Sequence, residues 1–572
     1  VSVMVTLPHF LSVPLPQCVT VSVMVTLPHF LSVPLPQCVT VSVMVTLPHF
    51  LSVPLPQCVT MKLMIYCAVV AAVVGSAAGK LSPERSYKIL MLLPVGSRSH
   101  RNVFMPLAEA LAERGHKIVM LTNHPKSSKH PNIYETTHAL DIMKEDKVNM
   151  FDRRKTLTGP LSLMKTVLPT LARDLYEVPV VKELYERRKE FDLIVINHMF
   201  NEIAYPFLHE CTFITLATPG MDPRQSAVLG NVLNPAYVPV FIDFPKPMSI
   251  WHRFLNTLVH IGRVFIWDMW AIVPLIQKQI SAQFPELPPL LELERNMSLT
   301  LLNTHFSIGM TLPLLPSQVE VGAMHCRPGN PLSQELETWI TGAGSSGVIY
   351  FSLGSVTRSS SMPVQYRDIF IGAFRRLPQR VIWKYEEDLE NVPDNVMISK
   401  WLPQQDILAH DNVRVFITHC GLLSMQESIY HATPLLAIPV AADQPKNSIF
   451  IKDSGLGEYL VWEELTEDMI VSTLTKIITD PLYKENVLRK SMLLKDQVTP
   501  PREAAVFWTE YVIRHRGAPH LRSPAAHLSW AEFLMLDIVF LLLLALFVLY
   551  YILRRILSAI YGSDGNTKLK KE

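Results

Sequence analysis

WLPQQDILAHDNVRVFITHCGLLSMQESIYHATPLLAIPVAADQ, running from Trp401 to Gln444, is the stretch whose reading decides the fold. Val413–Thr418 is an apolar run of strand length, His419-Cys420-Gly421 a tight turn, and a helical stretch opens near Ser424. A strand that passes through a short turn into a helix leaves the first-turn N–H groups without intrahelical partners and aims a positive dipole end at one point. Such a point binds anions and suits phosphate. The same letters have a plainer reading, because Ser424-Met425-Gln426-Glu427 is also a capping box that only satisfies the helix start. Trp401 reads as core as readily as a ligand platform, and Asp443-Gln444 before Pro445 as turn chemistry.

Outward from this segment the alternation of strands and helices continues. Val348–Leu353, Arg380–Lys384, Met397–Trp401 and Leu435–Pro439 are further strand candidates separated by helical stretches. An earlier set begins with a strand at Tyr87–Leu93, a helix at Val103–Glu113 with Val103, Leu107 and Leu111 on one face, and a strand at Ile118–Thr122. Phe191–Ile196 repeats the buried-strand signal, and the aromatic stretch from Gly230 to Pro289 reads as irregular helices able to wall an apolar pocket. Two α/β domains with parallel, Rossmann-like sheets follow, at 80–310 and 330–505, with a linker at 311–329 where no clear element appears and a packing segment at 506–532. Ligands in such folds bind at the carboxyl ends of the strands, here in the cleft between two facing sheets.

The ends of the chain speak to location. Residues 1–60 are three identical copies of VSVMVTLPHFLSVPLPQCVT, too short and proline-rich for a stacked core, and read as a duplicated or artefactual leader. Met61, Lys62, the apolar run Leu63–Val74 and the small residues Gly75–Gly79 read as a signal peptide over 61–79. Residues 533–553 are long and apolar enough to cross about 30 Å of hydrocarbon. Arg554, Arg555 and the lysines of the tail 554–572 place that tail in the cytosol by the positive-inside rule, and the body in the lumen. Lys568, Lys570 and Lys571 resemble a dilysine retrieval signal, which points to a single-pass type I protein of the endoplasmic reticulum membrane. Asn296-Met297-Ser298 is a glycosylation sequon on the lumenal side.

The chain has 572 residues, 49% of them hydrophobic, and a formal net charge of +2, which offers no basic stripe for nucleic acid. Outside the leader and signal peptide only Cys211, Cys326 and Cys420 remain, which matches neither a disulfide framework nor a zinc spacing.

Taken together, the 44 residues from Trp401 resemble the signature of the UDP-glycosyltransferase family, with the W-x-P-Q opening, the H-x-G turn and the closing D-Q. FSLGS at Phe351–Ser355, the RGH after the first helix and GAPHLRSPA at Gly517–Ala525 extend the resemblance, nearest the insect branch of the membrane-bound animal type. The resemblance implies a GT-B fold and assigns roles by motif. Trp401 would stack on uracil, Gln404 would bond its edge, and Glu427 would accept from the ribose hydroxyls. His419, Gly421, Ser424 and Ser355 would hold the diphosphate, and Asp443 and Gln444 the hydroxyls of the transferred sugar. Cys420 stands at a backbone-contact position where relatives often have glycine or serine.

On the acceptor side the family's catalytic histidine falls at His100, whose reference pKa near 6.5 suits a general base. Its orienting acid aligns with Asn197, where aspartate or glutamate is usual; an asparagine oxygen accepts an imidazole N–H but cannot stabilise an imidazolium by charge. Asp192 and Glu202 are not obvious substitutes. The implied reaction is direct displacement with inversion, moving a hexose, glucose by the insect likeness, to a hydroxyl of a small lipophilic acceptor, as in detoxification. No Asp-x-Asp occurs, so no metal or other cofactor is expected. The alternative from another class is an impaired pseudoenzyme that binds UDP-sugar or lipophilic ligands. An oligomer is compatible with the sequence.

Overall fold

The computed structural model describes residues 83, 85–140, 149–154, 159–240, 244 and 247–562; the leader 1–60, the signal peptide 61–79 and the dilysine tail lie outside them. The first sheet is built from β1 (Lys88–Leu93), β2 (Lys117–Thr122), β3 (Ile133–Thr137), β4 (Leu193–Asn197), β5 (Phe213–Ala217), β6 (Thr300–Leu302) and β7 (Gln318–Glu320). All pair in parallel, in the order β3-β2-β1-β4-β5-β6-β7. β1 is buried from Ile89 to Leu93 and β4 throughout, which is why both read as unbroken apolar runs rather than alternating ones. The helix after β1 spans Arg98–Glu113 and buries Val103, Leu107 and Leu111 against the sheet.

The second sheet comprises β8 (Val348–Ser352), β9 (Arg380–Lys384), β10 (Val396–Ser399), β11 (Val413–Thr418), β12 (Leu435–Ala437) and β13 (Gly457–Tyr459), parallel in the order β10-β9-β8-β11-β12-β13. Both sheets reverse winding beside their first strand, between β1 and β4 and between β8 and β11. Loops leaving such a switch point splay apart and open a crevice at the carboxyl ends, so each sheet contributes one wall of the cleft. β9 and β11 match the expected ranges. β10 ends at Ser399, two residues before Trp401, which therefore lies in the loop beyond the strand.

Segment 311–329 is not a plain linker. Its residues Gln318–Glu320 form β7, the edge of the first sheet, a strand too short to show periodicity. Beyond the second sheet the chain returns: the helix Pro501–Arg514 packs on Arg98–Glu113, burying Ala505, Val506 and Val512 in the first domain's core. The RGH motif is the socket for this return. Arg114 donates two hydrogen bonds to Glu510 at 2.5 and 3.0 Å, and His116 Nε2 lies 3.0 Å from the same carboxylate, which is almost wholly buried. The GAPHLRSPA segment serves the same docking, with Arg522 donating to the Asn296 carbonyl at 2.8 Å. Asn296 itself is exposed at the end of the short helix Leu290–Arg295.

The candidate membrane span is helical over Leu536–Gly562, longer than the expected 533–553 because the helix continues through Arg554 and Arg555. None of its apolar window is covered by protein, as a span meant for lipid requires. Cys211, Cys326 and Cys420 are free thiols.

Candidate active site

The residues assigned by motif to the donor gather at the carboxyl ends of β8, β10 and β11. The helix after β11 begins at Leu422 with Gly421 as N-cap and no side-chain cap. Ser424 is therefore the third helical residue, and the capping-box reading fails. Its hydroxyl instead accepts from Gln404 Nε2 at 3.2 Å, and the same Gln404 nitrogen donates to Glu427 Oε2 at 2.5 Å. Tyr350 donates to Gln404 Oε1 at 3.3 Å, so Gln404, Ser424 and Glu427 form one polar wall. Burial raises the Glu427 carboxyl to about 7, against the lowering pull of Gln404 and Arg327.

His419 fills the turn. Its ring lies so close to Gly354 and Gly421 that a Cβ on either would come within 2.6 Å of an imidazole atom. Glycine is required at both places, and Gly354 also holds φ at +88°. This brings the Ser355 loop against the His419 turn. Burial, helped by the Lys384 ammonium, lowers His419 to about 4, so it is neutral at physiological pH and offers an N–H rather than a charge. Cys420 adopts φ +62° and is fully buried, so the position is left-handed, a conformation that favours glycine, and not merely a backbone contact.

Asp443 Oδ2 accepts from the Leu422 amide at 3.2 Å and from Asn447 at 2.6 Å, tying the next helix to the anion-binding one. Gln444 spends its amide oxygen on the N–H groups of Val440 and Ala441 at 2.7 and 2.9 Å. Trp401 is 57% exposed at the rim.

The acceptor side is arranged differently from expectation. His100 is the third residue of its helix rather than just ahead of it, and its amide donates to the Ser97 cap at 3.4 Å. Burial, with a smaller push from His124, lowers its imidazole to about 4. Its Nδ1 is buried without a hydrogen-bond partner. Asn197 is not that partner. Its oxygen accepts from Thr218 at 3.0 Å and its amide donates to the Met199 carbonyl at 3.2 Å and the Val95 carbonyl at 3.5 Å. Together with Asn201, which bonds both the N–H and the carbonyl of Val95, it pins the loop leading to His100. Asp192 is engaged by Arg85 and the Lys88 amide, and Glu202 accepts from Trp267 at 2.6 Å, so neither orients His100.

With this geometry in view, the sequence model of the family described as UDP-glucoronosyl and UDP-glucosyl transferase matches residues 90–570. The chain belongs to this family. A UDP-glycosyltransferase of Dactylopius coccus is 33% identical over 520 residues, covering 86% of this chain and 97% of that one. A UDP-glucosyltransferase of the same insect is 33% identical over 507 residues, with the same coverage of each. Among solved structures, the spinosyn forosaminyltransferase aligns with a TM-score of 0.50 at 15% identity, covering 75% of this chain and all of that one; it shares the GT-B fold.

As a UDP-glycosyltransferase the chain holds three groups near its site that sequence reasoning missed. Lys384, at the end of β9, donates to the Gly354 carbonyl at 3.0 Å and to Glu386 at 2.6 Å, with its ammonium 5.7 Å from the Trp401 ring centre. Arg98, two residues before His100, lies over the same ring at 5.2 Å. The third is a pair: His198, next to Asn197, places Nε2 2.8 Å from Asp222 Oδ2, both buried, and His198 Nδ1 has no partner. Burial would raise Asp222, but Arg263 at 2.6 Å and His198 hold it well below the usual carboxylate range. The Asp222 carboxylate, held ionised by Arg263, fixes the orientation of the His198 ring through Nε2. The only signal available in the sequence was a histidine after a strand end, with no spacing rule linking it to an aspartate 24 residues on.

Proposed function

We propose that this UDP-glycosyltransferase moves glucose from UDP-glucose to a hydroxyl of a small lipophilic acceptor in one inverting displacement, without a metal, as in detoxifying conjugation. The observation that carries the reading is the convergence of Gln404, Ser424 and Glu427 on one wall beside the His419 turn and the helix start, whose first amide is held by Asp443. In this reading uracil stacks on Trp401, which requires Arg98 to give up its place over the ring, and Glu427 takes the ribose hydroxyls. His419, Ser355 and the first-turn amides after Gly421 meet the diphosphate as charge builds on the leaving group; preorganised donors of this kind commonly supply the largest catalytic contribution. Asp443 and the amide nitrogen of Gln444 meet the sugar. Glucose is supported by the glucosyltransferase relative. The body faces the lumen of the endoplasmic reticulum, held by the Leu536–Gly562 anchor, with Asn296 exposed for glycosylation.

His100 takes the acceptor proton in this reading. His198 is favoured as a second possibility by one observation, its buried carboxylate partner, which would stabilise an imidazolium that nothing stabilises at His100. The test is release of free UDP from UDP-glucose by membranes bearing residues 61–572, with and without a panel of phenols. Acceptor-dependent release that disappears with His100→Ala supports the transfer and its base. Release that survives His100→Ala but not His198→Ala moves the base, and donor binding without release across the panel turns the reading toward a binding protein.

A further inference from the structure

The helix Ile250–Val264 and its π-helical continuation Phe265–Ala271 were expected to wall an apolar pocket. They turn their apolar side chains outward instead. Trp251, Phe254, Leu258, Ile261, Phe265 and Trp270 are all exposed, Trp251 by 71% and Trp270 by 62%. Spacings of three and four residues put the first five on one face of the helix, and a run of this length extends about 30 Å at 1.5 Å per residue. Contiguous apolar patches of that extent on a folded protein mark a contact with another apolar phase or partner.

The opposite face is fastened to the protein. Asn256 donates to the carbonyls of Pro235 and Val238 at 2.6 and 2.7 Å, His260 Nε2 lies 2.9 Å from the Val238 carbonyl, and Asp268 pairs with Arg224. The helix is thus fastened along this face to the first domain. Gly230, five residues before Pro235, abuts the stem of the anchor: a Cβ there would come 2.7 Å from the Ala526 amide nitrogen. Ten residues beyond Ala526 the anchor helix begins, and the stem between them exposes Leu528, Trp530 and Met535. Lys165 adds a cation 5.3 Å from the Trp270 ring, and Arg253 is exposed on the helix itself.

We propose that the outer face of Ile250–Ala271 is a second membrane contact, seated in the headgroup and upper acyl region of a phospholipid bilayer beside the anchor. The occupant follows from continuity: the face adjoins the stem that leads into the apolar helix Leu536–Gly562, and tryptophans with flanking cations are the side chains that suit such an interface. The inference rests on the reading of that helix as the membrane anchor.

The test reconstitutes residues 61–572 in phosphatidylcholine–phosphatidylserine vesicles containing a phosphatidylcholine with a diazirine on its acyl chain, photolyses them, and maps the adducts by mass spectrometry. Adducts on Leu536–Gly562 and on 250–271, with none on the helix Glu467–Thr479, are expected. Adducts on the anchor but none on 250–271 overturn the proposal while leaving the anchor in place, the result a second protein copy covering this face would give. Adducts on neither overturn the anchor reading and the proposal with it.

Discussion

The two sheets are wound alike and hold their site groups in opposite ways. On the donor side of the proposed reading, the segments that follow β10 and β11 deliver Gln404, His419, Ser424 and Glu427 into direct contact with one another or with the glycines that frame them. On the acceptor side, His100 lies in the first turn of the helix after β1 and Asn197 ends β4, yet the asparagine faces the backbone of the loop and the imidazole has no partner on Nδ1. A rigid, mutually bonded donor wall suits a ligand that does not vary, the nucleotide. A less tied acceptor wall leaves the proton-transfer group to be completed by the substrate. The proposed function thus divides binding and chemistry between the halves, and this division can be attacked experimentally.

The largest expected effect is on turnover. His100→Ala lowers kcat by about 10²- to 10⁴-fold, the usual contribution of a positioned general base, and steady-state rates at saturating donor check it. A smaller loss than that of His198→Ala would break the division as drawn and move the base to the Asp222-supported imidazole. Trp401→Ala, by contrast, weakens donor binding by about 5- to 150-fold, since stacking on a base is worth about 1–3 kcal/mol, and leaves kcat at saturation nearly unchanged.

Asn197→Asp sharpens the acceptor side. The substitution replaces a buried donor with a carboxylate facing the Val95 and Met199 carbonyls, so it destabilises the fold by about 1–3 kcal/mol and brings no gain in rate, read by urea unfolding and initial rates. A gain in rate would mean that the carboxylate reaches His100 after all.

The smallest effect is a pH dependence on the donor side. Glu427 titrates at about 7, and only its ionised form accepts two ribose hydroxyls, so UDP-glucose binding tightens as pH rises through that value. The change is about tenfold between pH 6 and 8 if affinity follows the ionised fraction, and Glu427→Gln flattens it. His100 and His419 are neutral over this range and do not contribute.

How much of this was legible in the sequence follows the same line. Strands buried on both faces announce themselves as apolar runs, so β1, β9 and β11 were found within a residue or to the residue, whereas β7, three residues long, carried no signal. All the donor residues except Ser355 lie within the 44 residues from Trp401, and a strand–turn–helix transmits sequence order directly into space. Acceptor-side partners are joined through loops, so alignment to a motif could say that Asn197 stands near the loop but not which atoms it bonds. His198 and Asp222, and the RGH contact with Glu510 almost 400 residues away, are tertiary pairings that no local rule encodes.

The most direct test of the division is calorimetric titration of UDP into the membrane-extracted full chain and its His100→Ala and Trp401→Ala variants. The account predicts that His100→Ala binds UDP as the unsubstituted chain does while Trp401→Ala binds it markedly more weakly. Weakened binding in His100→Ala, or unchanged binding in Trp401→Ala, would contradict it.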